Sequence, residues 1–543
     1  MGLSQLNPVV GDLLGNEDKI VADYERAVAE GCHVVVFPEL SVTGYPPEDL
    51  LMKKTFVRHQ RMTLDRIAAN TRECVAVVGF VHEENGELFN AAALLCNGGL
   101  VDIYKKRLLP NYSVFDEERY FAAGPEKTNG RAAGVFWVHG IEVGVSVCED
   151  IWYANGPVTD QAKEGARILL NLNGSPFHEG KHVEREQMLQ TRARECGSAI
   201  VYVNQVGGQD ELAFDGASVV IDSEGEVAAR LASFKPDFAV VDVLSNGSVT
   251  KGHVAPFEDE LDRVYAALVM GTRDYVRKNG FTDVVVGLSG GIDSSLVAAV
   301  AVDALGAEHV HGVAMPSRYS SQGSIDDAEK LAVALGIDHR TISIEPAFSA
   351  FLDMLSPSFM GRDADLTEEN LQSRCRGMTL MALSNKFGWM VLTTGNKSEM
   401  AVGYFTIYGD SAGGFAVIKD VFKLEVFALC RRINERAGRE IIPETVITKP
   451  PSAELRPDQR DDQSLPPYEE LDPILRHYVD NDLTVPEITQ LGFDGTVVAR
   501  IARLVDLSEY KRRQCAPGVR VSTKAFGKDR RMPITNGYRS DRA

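Results

Sequence analysis

The sequence predicts an α/β protein of more than one domain, whose second half folds as a doubly wound parallel sheet. Three observations carry this. A chain of 543 residues is longer than one hydrophobic core usually organises. After residue 280, short apolar runs at 284–286, 310–315, 340–344 and 390–394 read as strands, and helical periodicity at 296–305 and 326–335 lies between them. Finally, the stretch 245–253 is polar, glycine-bearing and aperiodic, as linkers are. Domains are therefore expected over 1–245 and 258–543, joined by 246–257.

Composition narrows the function classes. The chain is 44% hydrophobic and 25% charged, ordinary for a globular protein. A net charge of −20 argues against a nucleic-acid partner held through its phosphates. No run approaches eighteen apolar residues, so no membrane span is expected. The N-terminus, Met1-Gly2-Leu3-Ser4, has no basic segment followed by an apolar one, so no secretory signal is read there. Eight cysteines stand singly, without Cys-x-x-Cys spacing, which indicates neither a zinc site nor a disulfide framework and fits a reduced, cytoplasmic setting.

In the first half, a helix is expected from a cap at Asn16, with Ile20, Tyr24, Ala27 and Val28 on its apolar face. Strands are expected at 33–37, 75–80, 91–95 and 141–147. Glu39, Lys106 and Cys148 stand at the ends of three strand-like segments. Together they form a chemical set: a thiol nucleophile, a carboxylate to carry its proton to a leaving amine, and a cation to hold an oxyanion. Glu117 and Glu118 are candidates for an auxiliary carboxylate, but their acidic run reads rather as a solvated face.

The segments Pro38-Glu39-Leu40-Ser41, 104–112 and Cys148-Glu149-Asp150 resemble the nitrilase superfamily of carbon–nitrogen hydrolases. The resemblance spans residues 3 to about 245 and includes Gln5-Leu6-Asn7-Pro8 and Asn173-Gly174-Ser175-Pro176-Phe177. It implies an α-β-β-α sandwich with a catalytic Glu39, Lys106 and Cys148, and Lys105 as the alternative lysine. The first strand begins later in the sequence than is usual in that superfamily.

The second half centres on Gly287-Leu288-Ser289-Gly290-Gly291-Ile292-Asp293-Ser294-Ser295, between a strand and a helix. Its glycines allow close backbone approach to a ligand. The serine hydroxyls and free helix amides would converge on a phosphate. No Gly-Lys-Ser/Thr follows, so this is not a Walker loop. It resembles the loop of ATP pyrophosphatases, which implies ATP cleaved between α- and β-phosphates, with Mg2+ at Asp293. Strand 390–394 delivers Thr394-Gly395-Asn396-Lys397-Ser398-Glu399 to the same sheet edge, and Glu399 would complete the metal ligands with Asp293.

From 258 to 535 the chain is similar to the NAD synthetase family, through 369–374, 408–415, 419–421 and 509–514. The resemblance implies ATP contacts at residues 287–295 and Thr394, and deamido-NAD contacts at Asn370, Glu399 and Lys511. Within its glutamine-dependent branch, Tyr112, Ser175 and Lys181 match the positions that bind L-glutamine. The reaction it implies is amidation of deamido-NAD to NAD through an acyl-adenylate, fed with ammonia passed internally from Cys148, in a homo-oligomer. The glycine-rich stretch 409–414 reads as a mobile flap. Three other readings are weighed: an adenylator of xanthylate or aspartate, a first domain serving only as a scaffold, and a nucleotide sensor without turnover. The segments at 370, 399 and 511 speak against the first, and the complete residue sets against the others.

Overall fold

The structure, a computed structural model, describes residues 1–538 except 458, 460–462 and 464; the predicted second domain's last positions, 539–543, lie outside the described residues. The chain divides into two compact units, Met1–Glu258 and Asp259–Ala543.

In the first unit, two six-stranded sheets face each other. One runs in the order Asp237–Val240, Gly2–Gln5, Val34–Val36, Val75–Glu84, Glu87–Cys96, Gly99–Lys105. The other runs Val227–Arg230, Val219–Ile221, Ala199–Asn204, Ile168–Asn173, Ile141–Val147, Val135–Val138. Strand alternation explains the layers. Val34, Val36 and Val77 share an inner core with Val145, Val147, Leu170 and Val201 of the opposite sheet. Their neighbours Val35, Phe37, Ala76 and Val78 turn outward onto Ile20, Tyr24, Leu64 and Ile67 of helices Leu13–Ala29 and Lys54–Ala69. On the far side, Leu169, Ile200 and Tyr202 meet Val158, Leu189 and Ala193 of helices Pro157–Lys163 and Lys181–Cys196. The result is an α-β-β-α sandwich.

The first helix starts earlier than its periodicity suggests. Asp12 is its cap, accepting from Gly15 N at 3.0 Å, while Asn16 is buried inside it and donates to Val9 O and Val42 O. An aspartate three residues before the first free amide outcompetes an asparagine that the strand-exit loops also need. The first strand is Gly2–Gln5, with Met1 N donating to Val241 O at 2.7 Å. The stretch read as a linker, 246–257, lies along the first unit: Gly252 N donates to Ala228 O, and Arg230 Nη1 to Ala255 O at 2.7 Å.

The second unit holds a five-stranded, all-parallel sheet in the order Asp338–Thr341, Val310–Ala314, Val284–Gly287, Met390–Thr393, Phe415–Ala416. Numbered along the chain, that order is 3-2-1-4-5. Helices Glu260–Lys278, Ile292–Leu305 and Lys423–Ala437 pack together, and Glu345–Leu355 and Leu366–Phe387 pack with Val285, Val313 and Val391. The order reverses between Val284–Gly287 and Met390–Thr393, so the loops leaving these strands part at their carboxyl ends and open a crevice. A helical cluster from Tyr468 to Phe526 packs around Met400, Val402 and Phe405 beside it. Among the described residues no helix is long and apolar enough to cross a membrane.

Candidate functional site

Glu39, Lys106 and Cys148 come from three strand exits of the first unit. Glu39 follows Val34–Val36 where the chain turns sharply, with Leu40 at φ 45°. The adjoining strand must carry Gly79, since a Cβ there would lie 2.4 Å from Leu40 N and Pro38 O. Lys105 ends its strand facing out, on Glu84 at 2.6 Å. Lys106, one residue on, points inward with no exposed surface, and its Nζ donates to Glu39 Oε1 at 2.8 Å. Alternation alone separates the two lysines. Cys148 sits at φ 44°, between strand Ile141–Val147 and the turn Cys148–Ile151, a left-handed conformation rarely held by a residue with a Cβ. Asp150 fastens that turn to the lysine's: its carboxylate accepts from Val147 N, Arg107 N, Leu108 N and Tyr104 Oη.

Charge is tightly arranged here. Burial pushes the Cys148 thiol well up, and the Glu39 charge pushes it further, against the pull of Lys106. The thiol is therefore protonated at rest, and its proton must leave as it attacks. Burial alone would discharge Lys106, but Glu117 and Glu39 outweigh it and hold the ammonium well above its usual range. Glu117 is not on a solvated face. It is 4% exposed, accepts from Lys106 Nζ at 2.9 Å with both oxygens and from Tyr45 Oη at 3.0 Å. Burial pushes its carboxyl up, against the pull of Lys106. Its acidic sequence neighbours hid this. Only the turn Glu117–Arg119, folding back beneath the sheet, takes it inside while Glu118 stays out.

A cavity of about 280 Å³ opens among the sequence neighbours of Lys106 and Cys148, with Arg107, Pro110, Asn111, Tyr112, Glu149 and Tyr153 in its wall; Glu39, Lys106 and Cys148 do not line it. Tyr112 Oη donates to Glu149 at 3.1 Å. Lys181 opens helix Lys181–Cys196, pairs with Glu184 and lies 3.9 Å over the Trp152 ring. Burial pushes its ammonium down, against Glu184. Ser175 is buried just past strand Ile168–Asn173, its backbone N donating to Asn204 Oδ1 at 2.9 Å.

In the second unit the crevice is a cavity of about 1200 Å³. Gly287, Leu288, Ser289, Gly291, Ile292, Asp293, Ser294 and Thr394 all reach its wall. Gly290 does not. It sits at φ 72°, where a Cβ would fall 2.1 Å from Ser324 O, so it shapes the turn from behind. The three hydroxyls do not all converge: Ser289 and Ser294, whose Oγ atoms lie 3.1 Å apart, line the cavity, but Ser295 does not, and its Oγ donates to Gly291 O at 2.8 Å. Asp293 and Glu399 meet on one cation, Lys423 Nζ, at 2.5 and 3.4 Å. Asn396 Nδ2 donates to Asp293 Oδ1 at 2.9 Å, and Asn396 Oδ1 accepts from Glu399 N, capping helix Lys397–Val402.

Asn370, Glu399 and Lys511 also line this cavity. Asn370 Oδ1 accepts from Thr406 Oγ1 at 2.7 Å, and Lys511 Nζ donates to Gly403 O and Phe405 O. The stretch 409–414 is tied to its neighbours by hydrogen bonds. Asp410 accepts from Thr406 N and Ser373 Oγ, and Gly414 N donates to Val391 O at 2.8 Å. Its glycines serve close packing: a Cβ on Gly409 would meet Ser373 Oγ at 2.2 Å.

Sequence reasoning missed Asn90, Glu149 and Lys423. Lys423 follows a matching segment, 419–421, by two residues. Asn90 left one signal, a lone amide inside the apolar strand Glu87–Cys96.

These two sites can be set beside known proteins. The carbon–nitrogen hydrolase family matches residues 1–247, and the NAD synthase family matches residues 264–515. The glutamine-dependent NAD(+) synthetase of Thermotoga maritima is 46% identical over 99% of this chain and 98% of its own. The enzyme of that name from Xylella fastidiosa is 49% identical over 99% of each. The solved glutamine-dependent NAD+ synthetase of Acinetobacter baumannii, in complex with adenosine diphosphate, is 42% identical with a TM-score of 0.80, covering 99% of this chain and 98% of that one. Two catalytic units on one polypeptide, matched end to end at this identity, leave one assignment: the chain belongs to the family of glutamine-dependent NAD(+) synthetases.

Proposed function

We propose that this chain makes NAD from deamido-NAD and ATP, with nitrogen from L-glutamine, and that the residues above carry the chemistry. The observation that carries the reading is the sealed Glu39–Lys106 pair beside Cys148 on the same chain as a phosphate loop that opens on a crevice.

In the first site Cys148 Sγ attacks the glutamine side-chain amide carbon as its proton passes to Glu39. Lys106 holds the oxyanion. Glu39 returns the proton to the amide nitrogen, the C–N bond breaks, and ammonia leaves a thioester. Water then attacks the thioester, giving its proton to Glu39 and thence to sulfur as glutamate departs. Tyr112, Glu149, Ser175 and Lys181 hold the amino-acid end: Glu149 suits its ammonium and Lys181 its carboxylate.

In the second site the nicotinate carboxylate of deamido-NAD attacks the α-phosphorus of ATP, and pyrophosphate leaves into the donors of 287–295. Ammonia adds to the acyl carbon, loses a proton, and AMP departs. Asn370, Glu399 and Lys511 orient the acid, and Thr394 the ATP. Asp293 and Glu399 offer hard carboxylate oxygens beside the phosphate loop, a donor set that fits Mg2+. That ion would offset phosphate charge. Lys423 holds the two carboxylates together and presents a cation at the phosphate end.

We further propose a homo-oligomer formed through helix Leu366–Phe387. It buries Gln372, Ser373, Cys375, Gly377 and Leu380 but exposes Met378, Met381 and Phe387, next to exposed Phe351 and Met354 of the helix packed on it. Sedimentation of the full chain tests this. The eight cysteines, all unpaired, suit a reducing cytoplasmic setting.

The deciding experiment is Cys148→Ala, assayed for NAD formation with glutamine and with ammonium. Loss with glutamine by at least about 10³-fold, with ammonium turnover kept, is expected. Retention with glutamine would overturn the nucleophile assignment.

A further inference from the structure

Asn90 has no role in the chemistry above, yet its side chain reaches the carboxylates of Glu39 and Glu117 and its backbone holds that of Lys106. It lies in strand Glu87–Cys96 with no exposed surface. Its Nδ2 donates to Glu39 Oε1 at 2.7 Å and lies 3.5 Å from Glu117 Oε2. Its backbone O accepts from Lys106 N at 2.8 Å. The amide orientation follows from chemistry, because only the NH2 end can face two carboxylates. Among the described residues its Oδ1 has no hydrogen-bond partner. A buried unpaired acceptor costs folding free energy, and an apolar side chain of this size would avoid that cost. Fold alone does not account for an amide here.

Its effect falls on Glu39. Oε1 of that carboxylate accepts from both Asn90 Nδ2 and Lys106 Nζ, at 2.7 and 2.8 Å, which occupies both of its lone pairs. Among the described residues Oε2 accepts only from Gly174 N, at 2.8 Å, and keeps one lone pair. The same NH2 group lies 3.5 Å from Glu117 Oε2, so it faces both of the buried carboxylates that Lys106 Nζ bridges. An amide hydrogen offers both a bond and gives neither its proton.

We propose that Asn90 is a positioning residue of the glutaminase step: it occupies Glu39 Oε1 and holds off Glu117, so that Oε2 is the atom that takes the Cys148 proton. This rests on the assignment of Cys148 as nucleophile and Glu39 as base. The proton moves from sulfur to Oε2 as the S–C bond forms, and from Oε2 to the departing nitrogen as the C–N bond breaks. Asn90 exchanges no proton.

The full-length chain is tested with Asn90→Leu and Asn90→Asp. Three quantities are read: glutaminase kcat and KM against pH, the pH dependence of Cys148 alkylation by iodoacetamide, and NAD formation from ammonium. For Asn90→Leu, kcat should fall about 10- to 100-fold with KM for glutamine within about twofold. Its acid limb should move to higher pH, because the base has lost a donor to its ionised form. Asn90→Asp should recover part of the activity only at low pH, where its protonated carboxyl can donate. Alkylation should follow the same limbs in both variants, and ammonium-dependent synthesis should not change. An unshifted acid limb and alkylation profile in Asn90→Leu would overturn the proposal. So would an equal loss of ammonium-dependent synthesis, which would make the residue a fold support. Alkylation reports on the thiol and its base without turnover, so a mistaken glutamine assignment would leave that readout intact. Failure of Cys148→Ala to block glutamine use would show itself separately.

Discussion

The two sites are built on opposite principles. Around Cys148, Glu39 and Lys106 have no exposed surface and the thiol is 4% exposed, with a cavity of about 280 Å³ among the sequence neighbours of Lys106 and Cys148. Around Asp293 the wall is a crevice of about 1200 Å³, and Asp293 and Glu399 keep side-chain exposures of 19% and 16%. The first site must break the bond of an uncharged amide, which calls for strong local fields. Those come from taking charges out of water and pairing them unequally, two carboxylates on one ammonium. The second must admit two large phosphate-bearing molecules, so its donors are backbone amides, hydroxyls and wetted carboxylates on loops at a switch point. Sealing suits proton transfer, and openness suits substrates that bring their own charge.

The comparison breaks hardest at Asp293. Asp293→Asn should lower NAD formation from either nitrogen donor by about 10²- to 10³-fold while leaving alkylation of Cys148 unchanged. Matching losses at both sites would mean that they are not separable. On the sealed side, Glu117→Gln removes one of the two negative charges on Lys106. Glutamine hydrolysis should then fall about 10²-fold with ammonium-dependent synthesis kept, read as a ratio of the two activities in one preparation. Lys181→Ala is milder, since Lys181 stands at the wetter edge with its side chain 18% exposed. A KM for glutamine raised about tenfold at nearly unchanged kcat is expected, the mark of lost ground-state binding.

The smallest effect is on stability. Asp472 accepts from Ser398 Oγ at 2.5 Å and Leu424 N at 2.9 Å, and so ties the Glu399 loop to the helix that carries Lys423. Burial raises its carboxyl from 3.8 to about 6, against those bonds. A folded value above the unfolded one means the folded chain holds the proton longer, so this group costs stability increasingly as pH rises from about 4 to 6 and by a constant amount above. Asp472→Asn removes that slope. Its melting temperature relative to the parent should climb by a few degrees across that window and then level off. A difference that stayed flat from pH 4 to 7 would count against a buried, raised carboxyl.

Much of this was legible in the chain. The strand–glycine turn–helix at 284–305 announces itself because backbone geometry is local: β-branched residues, then glycines where no Cβ fits, then helix formers. The parallel rhythm of the second half follows from the same local periods. Cys148 was found by its place at a strand end, and the structure adds the left-handed backbone that presents it. In the first unit, apolar runs marked the strands but could not say that two sheets would face each other. That part of the expectation came from resemblance.

What the chain could not show is which polar residues would be buried. Glu117 and Glu118 are alike and adjacent in sequence, yet one is inside on Lys106 and the other is out in solvent. Lys105 and Lys106 divide the same way. Asn90, Asn396 and Lys423 acquire their partners across separations of 51, 103 and 130 residues, to Glu39 and Asp293. The sequence by itself determined the local turns, the strand and helix periods and the residue types needed for both reactions. The tertiary structure decided which side chains lose water together, because burial and charge pairing depend on distances through space that no spacing along the chain encodes.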